Sequence, residues 1–163
     1  MAYVINPIST EDGEEILGIF NHYVENTFAA YPDTKLPCQA FDTLLALANG
    51  LPTGTLKDRN GRVVGFGMLR PHHPLSTFSK TAEVTCFLHP ADTGRGLGEK
   101  LLAYLETKAK KRGITIILAS ISSLNPGSID FHRKNGFVEC GRFIKVGEKL
   151  GRAFDTVWMQ KVV

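Results

Sequence analysis

The sequence predicts a single α/β domain over residues 1–163, built as a mixed β-sheet flanked by helices. Runs with helical spacing alternate along the chain with short apolar or alternating runs, which is the pattern of helices packed on a sheet. Glycines stand where several of these runs end, and 163 residues are long enough to bury one substantial core. Hydrophobic residues make up 43% of the chain and charged residues 21%, as in ordinary globular proteins.

The first third of the chain predicts one strand and two helices. Residues 3–5 form the strand. Ser9 or Thr10 caps the first helix, which continues to about Asn26 because apolar residues recur at helical spacing. A polar and aromatic loop covers residues 27–37. The second, shorter helix covers residues 41–49 and stops at Gly50.

A hairpin, a loop and a strand follow. Residues 53–57 pair with residues 62–69 across Arg59-Asn60-Gly61, because Asn-Gly supplies the positive φ angles of a tight turn. Residues 70–80 contain two prolines and no periodicity, which predicts a loop. Residues 83–88 then form a strand.

The remaining elements complete the order β-α-α-β-β-β-α-β-α-β-β. A helix over residues 96–112 presents leucines on one face and stops at Gly113. The continuous apolar run at residues 114–119 is typical of a strand covered on both faces. A helix over residues 125–135 ends at Gly136, and strands over residues 137–146 and 154–160 close the fold.

The charge distribution does not indicate a nucleic-acid partner. The net charge is only +3, and the densest basic group, at residues 108–112, lies in the last turn of a predicted helix. Cations there complement the negative end of the helix dipole. A slight positive excess is equally consistent with an anionic cofactor.

The cysteines and the apolar segments predict a cytoplasmic location. Cys38, Cys86 and Cys140 stand far apart, and such an odd, sparse set argues against a disulfide framework. The first residues lack the pattern of a signal peptide, and no apolar stretch reaches the 18 residues of a membrane span.

A glycine-rich turn, Gly94-Arg95-Gly96-Leu97-Gly98 followed by Glu99, connects a predicted strand to a predicted helix. The free N–H groups of a helix start can hold a phosphate, although a plain turn has the same composition. The segment lacks the Gly-Lys-Ser/Thr ending of a Walker loop and the spacing of the dinucleotide fingerprint.

Glu83 lies inside the strand that precedes this turn. A carboxylate on a rigid strand beside a phosphate-binding turn can take a proton from a substrate, and its alternative function is to satisfy an ion pair. Together the two features suggest a phosphate-bearing cofactor that meets a substrate requiring deprotonation.

The glycine turn resembles the acyl-CoA signature of the GNAT family of N-acetyltransferases. That signature has Gln or Arg, two residues, Gly, one residue, then Gly or Ala; here it covers Thr93 to Gly98, with Thr replacing the first position. Three further segments are similar to the phosphinothricin and methionine-sulfoximine acetyltransferase branch. They are Ile19-Phe20-Asn21-His22-Tyr23, Asn125-x-x-Ser128-Ile129-x-x-His132-x-x-x-Gly136-Phe137, and the block from Val146 to Met159.

The resemblance implies a GNAT-like fold and an acetyl-CoA-dependent N-acetyltransferase. The acceptor would be the primary amine of a small molecule, such as an amino acid or an amino-acid analogue. Family members are often dimers, so a homodimer is also expected. The competing hypothesis is a non-catalytic acyl-CoA-binding sensor or interaction module with the same fold.

The resemblance also assigns residues. Glu83 corresponds to the general base, and His132 stands where relatives carry the acid that protonates the thiolate. The cofactor-binding residues would be Cys86, Phe87, Leu88, Gly94, Arg95, Gly96, Leu97, Gly98, Glu99 and Asn125. From the residues alone, Asn125 equally suits a helix N-cap, His132 a packing histidine and Cys86 a small buried hydrophobe.

The loop before Glu83 departs from the relatives, which show a Trp-Arg-x-Phe-x-Gly-Tyr-Arg-like stretch with arginines suited to a carboxylate. Here the segment from Leu69 to Lys80 retains only Arg70 and Lys80 as cations. The adjacent His72 and His73 lack the spacing of a helical metal pair, so we interpret them as solvent or substrate-loop residues and predict no metal.

Overall fold

The computed structural model describes residues 2–163, and its elements follow the predicted order. The α/β fold class is therefore confirmed. The strands and α-helices are β1 (Val4–Asn6), α1 (Gly13–Asn26), α2 (Ala40–Ala46), β2 (Thr53–Lys57), β3 (Val63–Pro71), β4 (Thr81–Leu88), α3 (Leu97–Lys111), β5 (Ile116–Ser122), α4 (Pro126–Lys134), β6 (Val138–Lys149) and β7 (Arg152–Val162).

The strands form one mixed sheet in the order β1-β2-β3-β4-β5-β7-β6. β4 and β5 are parallel neighbours, whereas the other neighbouring pairs are antiparallel. The parallel register runs only from Thr81–Ile116 to Glu83–Leu118. Because β4 continues to Leu88 and β5 to Ser122, the two strands separate beyond Glu83 and open the centre of the sheet.

Apolar clusters cover both faces of the sheet. α3 packs against one face, and α1 and α2 pack against the other. The first cluster includes Leu102, Leu105, Ala109, Ile117, Phe137, Val157 and Met159, and the second includes Ile16, Phe20, Val24, Phe41 and Phe66. Among the helices of residues 2–163, none combines the length and the apolar character needed to cross a membrane.

Element boundaries differ from the prediction in two places that matter for the site. β3 extends into the predicted loop, so that Arg70 lies opposite Glu83 in the sheet. Pro71 is compatible with this extension because it is the last residue of the strand. β5 continues beyond residue 119 to Ser122, so Ser120 also belongs to the sheet.

The last two strands are longer than predicted. The expected connection over residues 147–151 shrinks to Leu150 and Gly151, whose φ angles are 51° and 71°. Positive φ at both central residues is the geometry of a two-residue hairpin turn. The sequence prediction missed it because Leu150 is not a residue that usually favours such a turn.

Asp12 fastens the start of α1 to the sheet. It is 3% exposed, and its carboxylate lies 2.6 Å from Lys57 Nζ. The hydroxyl of Thr55 and the N–H of Ser9 also donate to it. Burial opposes the charged form, but these hydrogen bonds outweigh burial and lower the pKa of Asp12 below its usual 3.8.

The lowered pKa predicts how stability responds to pH. A carboxylate whose pKa is depressed by folding contributes stability above its unfolded pKa, and that contribution is lost as pH falls through the folded pKa. We expect Asp12→Asn to lower the free energy of unfolding by about 1–3 kcal/mol at pH 7. Urea unfolding at several pH values should show the difference from the natural protein shrinking below pH 3.8.

The matched control is Glu14→Gln, which changes an exposed carboxylate in the first turn of the same helix. We expect little change in stability from it at any pH. An Asp12→Asn effect that does not vary with pH would show that the lost stability comes from packing rather than from the ionised carboxylate.

Candidate active site

A cleft of about 630 Å³ opens where β4 and β5 separate. β4 contributes residues 84–88 to its wall, and β5 contributes residues 119–121. Residues 93–94 and 96–99 form one end, and α4 lies beside it. The cleft therefore joins the glycine-rich turn to the point where Glu83 leaves the paired part of the sheet.

The glycine-rich turn has the geometry of a phosphate cradle. Gly94 and Gly96 both have φ near 73°, a conformation that other residues rarely adopt. No atom lies within 4 Å of where a Cβ would stand on either residue, so a ligand can approach this backbone closely. Leu97 begins α3 directly afterwards, so the free N–H groups of the helix start border the cleft.

The structure brings most of the predicted cofactor-binding residues to this cleft. Its lining includes Cys86, Phe87, Leu88, Gly94, Gly96, Leu97, Gly98, Glu99 and Asn125. Arg95 is not part of the lining, because its guanidinium lies 3.3 Å from the carboxylate of Asp92. Asp92 is 4% exposed and also pairs with Arg62, so its carboxylate connects the glycine-rich turn to Arg62.

Two predicted residues lie on α4. The side chain of Asn125 accepts a hydrogen bond from the N–H of Ser128 and also borders the cleft, so the N-cap and cofactor functions are compatible. His132 Nδ1 lies 2.8 Å from the carbonyl oxygen of Ser128. Because a carbonyl only accepts, Nδ1 carries the hydrogen and Nε2 is bare in the neutral ring. Burial lowers the pKa of His132 below its usual 6.5, although the Ser128 hydrogen bond partly opposes the shift.

Two neighbouring side chains hold Glu83: Arg70, which lies in β3, and His72, which directly follows β3. Arg70 Nε donates to one carboxylate oxygen at 2.8 Å, and His72 Nδ1 lies 3.2 Å from the other. The ion pair that the sequence analysis gave as the alternative function of Glu83 is therefore present, with Arg70 as the partner. Glu83 itself is not part of the cleft lining, and it lies next to the lining residue Val84.

Aromatic residues surround this carboxylate. Tyr31 stacks on Phe154 with ring centroids 5.7 Å apart, and its hydroxyl lies 2.9 Å from that of Ser120. Trp158 lies opposite Ser120 in the β5–β7 register, and its ring is 6.2 Å from the ring of His72. Burial raises the pKa of Tyr31, and the charges of Arg70 and Glu83 also act on it, so these side chains share one local environment.

Cys86 does not have the properties of a nucleophile. Burial raises the pKa of its thiol to about 12, and the Glu106 carboxylate adds to the effect. The thiolate needed for attack is therefore scarce at neutral pH. Among residues 2–163 there is also no group of three or more His, Cys, Asp or Glu side chains arranged to hold a metal ion.

Comparison with known proteins agrees with this geometry. A model of the Acetyltransferase (GNAT) family matches residues 16–137. The chain belongs to this family. An L-methionine sulfoximine/L-methionine sulfone acetyltransferase of Pseudomonas aeruginosa is 34% identical, with 98% of this chain and 94% of the relative covered. An L-amino acid N-acyltransferase of Escherichia coli is 33% identical, with 91% and 87% covered.

A solved GNAT structure has the same fold. The phosphinothricin acetyltransferase of Sinorhizobium meliloti, in complex with acetyl-CoA, superimposes with a TM-score of 0.94 at 27% identity, over 100% of this chain and 89% of that one. The predictions of the family, of an N-acetyltransferase and of acetyl-CoA as co-substrate are confirmed. The functions assigned to individual residues stay predictions.

Several residues of this GNAT site escaped the sequence analysis. Ser120 was placed beyond the end of its strand, and Tyr31 was not assigned to the site. His72 was interpreted only as a solvent or substrate-loop residue, whereas the structure places it against Glu83. The signal that could have found it is the extension of β3 through Pro71, which aligns Arg70 with Glu83 and brings the next residues alongside.

Lys149 is another residue whose contribution to the site the sequence analysis missed. It is 3% exposed, and its ammonium donates to the Ala30 carbonyl at 2.6 Å and to the Tyr23 carbonyl at 3.5 Å. Burial lowers the pKa of Lys149 from its usual 10.5, partly opposed by Asp33. Lys149 thereby fastens the loop that carries Tyr31 to the end of α1, in the part of the chain that resembled the branch's carboxyl-terminal block.

We expect Lys149→Met to destabilise the protein. The buried Ala30 carbonyl would lose its donor, which costs about 1–3 kcal/mol. Urea unfolding should show this loss, whereas Lys110→Met, at an exposed position of α3, should stay within about 0.5 kcal/mol. A Lys149→Met protein as stable as the natural one would mean that burying the ammonium costs as much as its hydrogen bonds contribute.

Proposed function

We propose that this GNAT protein transfers the acetyl group of acetyl-CoA to the primary amine of a small molecule in the amino-acid or amino-acid-analogue class. One observation carries the proposal. The cleft between β4 and β5 runs from a helix start with open, positive-φ glycines to the strand position beside Glu83. A thioester cofactor and an amine would meet where a carboxylate is held on a rigid strand.

The residues of the cleft fit acetyl-CoA. The N–H groups at the start of α3, next to Gly94 and Gly96, suit the diphosphate, because they combine free donors with the positive end of a helix dipole. The backbone of residues 86–88 would accompany the pantetheine arm, and Asn125 borders the same path. Acetyl-CoA supplies the thioester whose acetyl group is transferred.

The substrate class rests on the relatives and on Arg70. The relatives named above act on methionine sulfoximine, methionine sulfone and L-amino acids. This chain lacks the arginine-rich loop of that branch, but the side chain of Arg70 is 41% exposed and uses only Nε for Glu83. Its terminal nitrogens are the donors that suit a carboxylate.

The chemistry follows from the side chains of the site. Glu83 is proposed to provide the base that frees the amine lone pair, which then attacks the thioester directly. The raised pKa of Cys86 supports transfer without an acyl-enzyme. His132 is proposed to protonate the departing thiolate; since its Nδ1 hydrogen is committed to Ser128, this requires the imidazolium, with the second hydrogen on Nε2.

A thiol-release assay tests this function. With acetyl-CoA and a panel of amino acids, amino-acid sulfones and simple amines, we expect release of free coenzyme A with at least one acceptor. Glu83→Gln should lower kcat/KM by about 10²–10⁴-fold, because the amine loses its base. Calorimetric binding of acetyl-CoA should be unchanged, since Glu83 is not part of the cleft lining.

Glu25→Gln, at an exposed position of α1, is the control and should leave both quantities unchanged. Turnover that survives Glu83→Gln would rule out the assignment of Glu83. Acetyl-CoA binding without thiol release across the whole panel would instead favour the non-catalytic sensor.

We also propose that the protein forms a homodimer through β6. This strand lies at the sheet edge, and each of its residues from Val138 to Val146 is exposed. Its large apolar side chains Val138, Phe143, Ile144 and Val146 are each more than half exposed. An unprotected apolar edge strand is a common site of association.

Ile144→Asp should convert the dimer to a monomer, because a carboxylate would be buried without a partner in the contact. Sedimentation velocity at micromolar concentration measures the change. Leu47→Asp, at an exposed apolar position directly after α2, is the control and should remain dimeric. A natural protein that sediments as a monomer would contradict the proposal.

A cytoplasmic location is the last part of the proposed function. Cys38, Cys86 and Cys140 are all free thiols. Unpaired cysteines are usual in the reducing cytoplasm.

A further inference from the structure

We infer that the base of this acetyltransferase is a Glu83–His72 pair in which Nε2 of His72 receives the proton of the acceptor amine. The inference deepens the proposed function and rests on it. This refines the base function given to Glu83 above: the imidazole takes the proton, and Glu83 orients the imidazole and acts as its counter-ion, so that loss of either residue removes the base.

The contacts of Glu83 lead to this assignment. Arg70 Nε occupies one carboxylate oxygen at 2.8 Å, and His72 Nδ1 lies 3.2 Å from the other. Both carboxylate oxygens of Glu83 are therefore already engaged by a neighbouring side chain. A carboxylate that accepts from Nδ1 fixes the tautomer with a bare Nε2, which is the arrangement of a proton acceptor.

Position and accessibility favour His72 over Glu83. The side chain of His72 is 32% exposed and that of Glu83 only 13%, so an incoming amine reaches the imidazole more easily. The ring of His72 lies beside Trp158, which is the cross-strand partner of Ser120, and Ser120 lines the cleft. The imidazole thus stands on the same side of the opened sheet as the acceptor end of the cleft.

Packing fixes the ring. Phe78 and Trp158 each contact it edge to face, with centroids 6.2 Å away at 72° and 77°. Arg70 and Tyr31 are charged or titratable groups near the pair, and His73 follows His72 in the chain. Arg70 holds the carboxylate on the side opposite the imidazole, so Glu83 remains available as a counter-ion when His72 becomes charged.

The reaction balances with these groups. The ammonium of the acceptor gives one proton to Nε2 of His72. The freed lone pair forms the N–C bond to the acetyl carbonyl carbon, the thioester C–S bond breaks, and its electron pair leaves on the coenzyme A sulfur, which takes a proton from His132. The amide nitrogen releases its surplus proton to solvent, and His72 returns its own proton to solvent before the next turnover.

The first test is kinetic and uses an amine that the natural enzyme acetylates. We expect His72→Ala to lower kcat/KM by about 10²–10⁴-fold and to recover activity when free imidazole is added. His22→Ala, which changes an exposed histidine of α1, should keep the natural rate and show no response to imidazole. A His72→Ala enzyme with the natural kcat/KM, or one that imidazole does not restore, would overturn the inference.

The second test does not depend on turnover or on a variant that folds. In ¹⁵N-histidine-labelled natural protein above neutral pH, the His72 signals should show the hydrogen on Nδ1 and none on Nε2. The opposite tautomer would overturn the inference. If no amine is acetylated at all, the proposed function fails, and the tautomer measurement still decides whether the pair exists as described.

Discussion

β4 and β5 pair over only three residues each, from Thr81–Ile116 to Glu83–Leu118, and then separate. Backbone carbonyls at the separated ends of the two strands accept hydrogen bonds from other parts of the chain. The Tyr23 hydroxyl donates to the Leu88 carbonyl at 2.6 Å, and the Asn125 N–H donates to the Ser122 carbonyl at 2.9 Å. Because buried carbonyls need donors, these bonds let the strands remain apart. The resulting opening sets the position of the cleft and of Glu83, which lies where the two strands begin to separate.

The acceptor side of this opening is built by a loop that has no regular structure of its own. Asn21 holds it at one end, exchanging two hydrogen bonds with the backbone of Leu36 at 2.9 and 2.8 Å. Lys149 holds its middle, and Phe154 supports Tyr31 from below. Gly147 completes the support, because a Cβ there would stand 2.3 Å from the Phe154 ring. The end of the β6–β7 hairpin thus supports the site, while the earlier part of β6 carries the exposed apolar residues of the sheet edge.

Sequence reasoning identified what depends on local pattern. Glu83 and the glycine turn were recognisable because a carboxylate within an apolar strand and glycines before a helix are each unusual over a few residues. His72, Ser120 and Lys149 depend on contacts between distant segments. The His72–Glu83 contact requires β3 to continue through a proline and then to lie in register with β4, and local propensity argued against that extension. Lys149 was not singled out from the sequence, because its partners are backbone carbonyls more than a hundred residues away.

The departure of the loop before Glu83 from the branch pattern has one physical explanation that joins these observations. The branch pattern has arginines suited to a substrate carboxylate in that segment, whereas this chain has Arg70 in the sheet and His72 beside Glu83. A guanidinium that uses only Nε for Glu83 still has donors on its terminal nitrogens. An acceptor carboxylate bound there would bring the neighbouring amine close to the imidazole. The same arginine would then align the base and position the substrate, so fewer cations are needed in the loop.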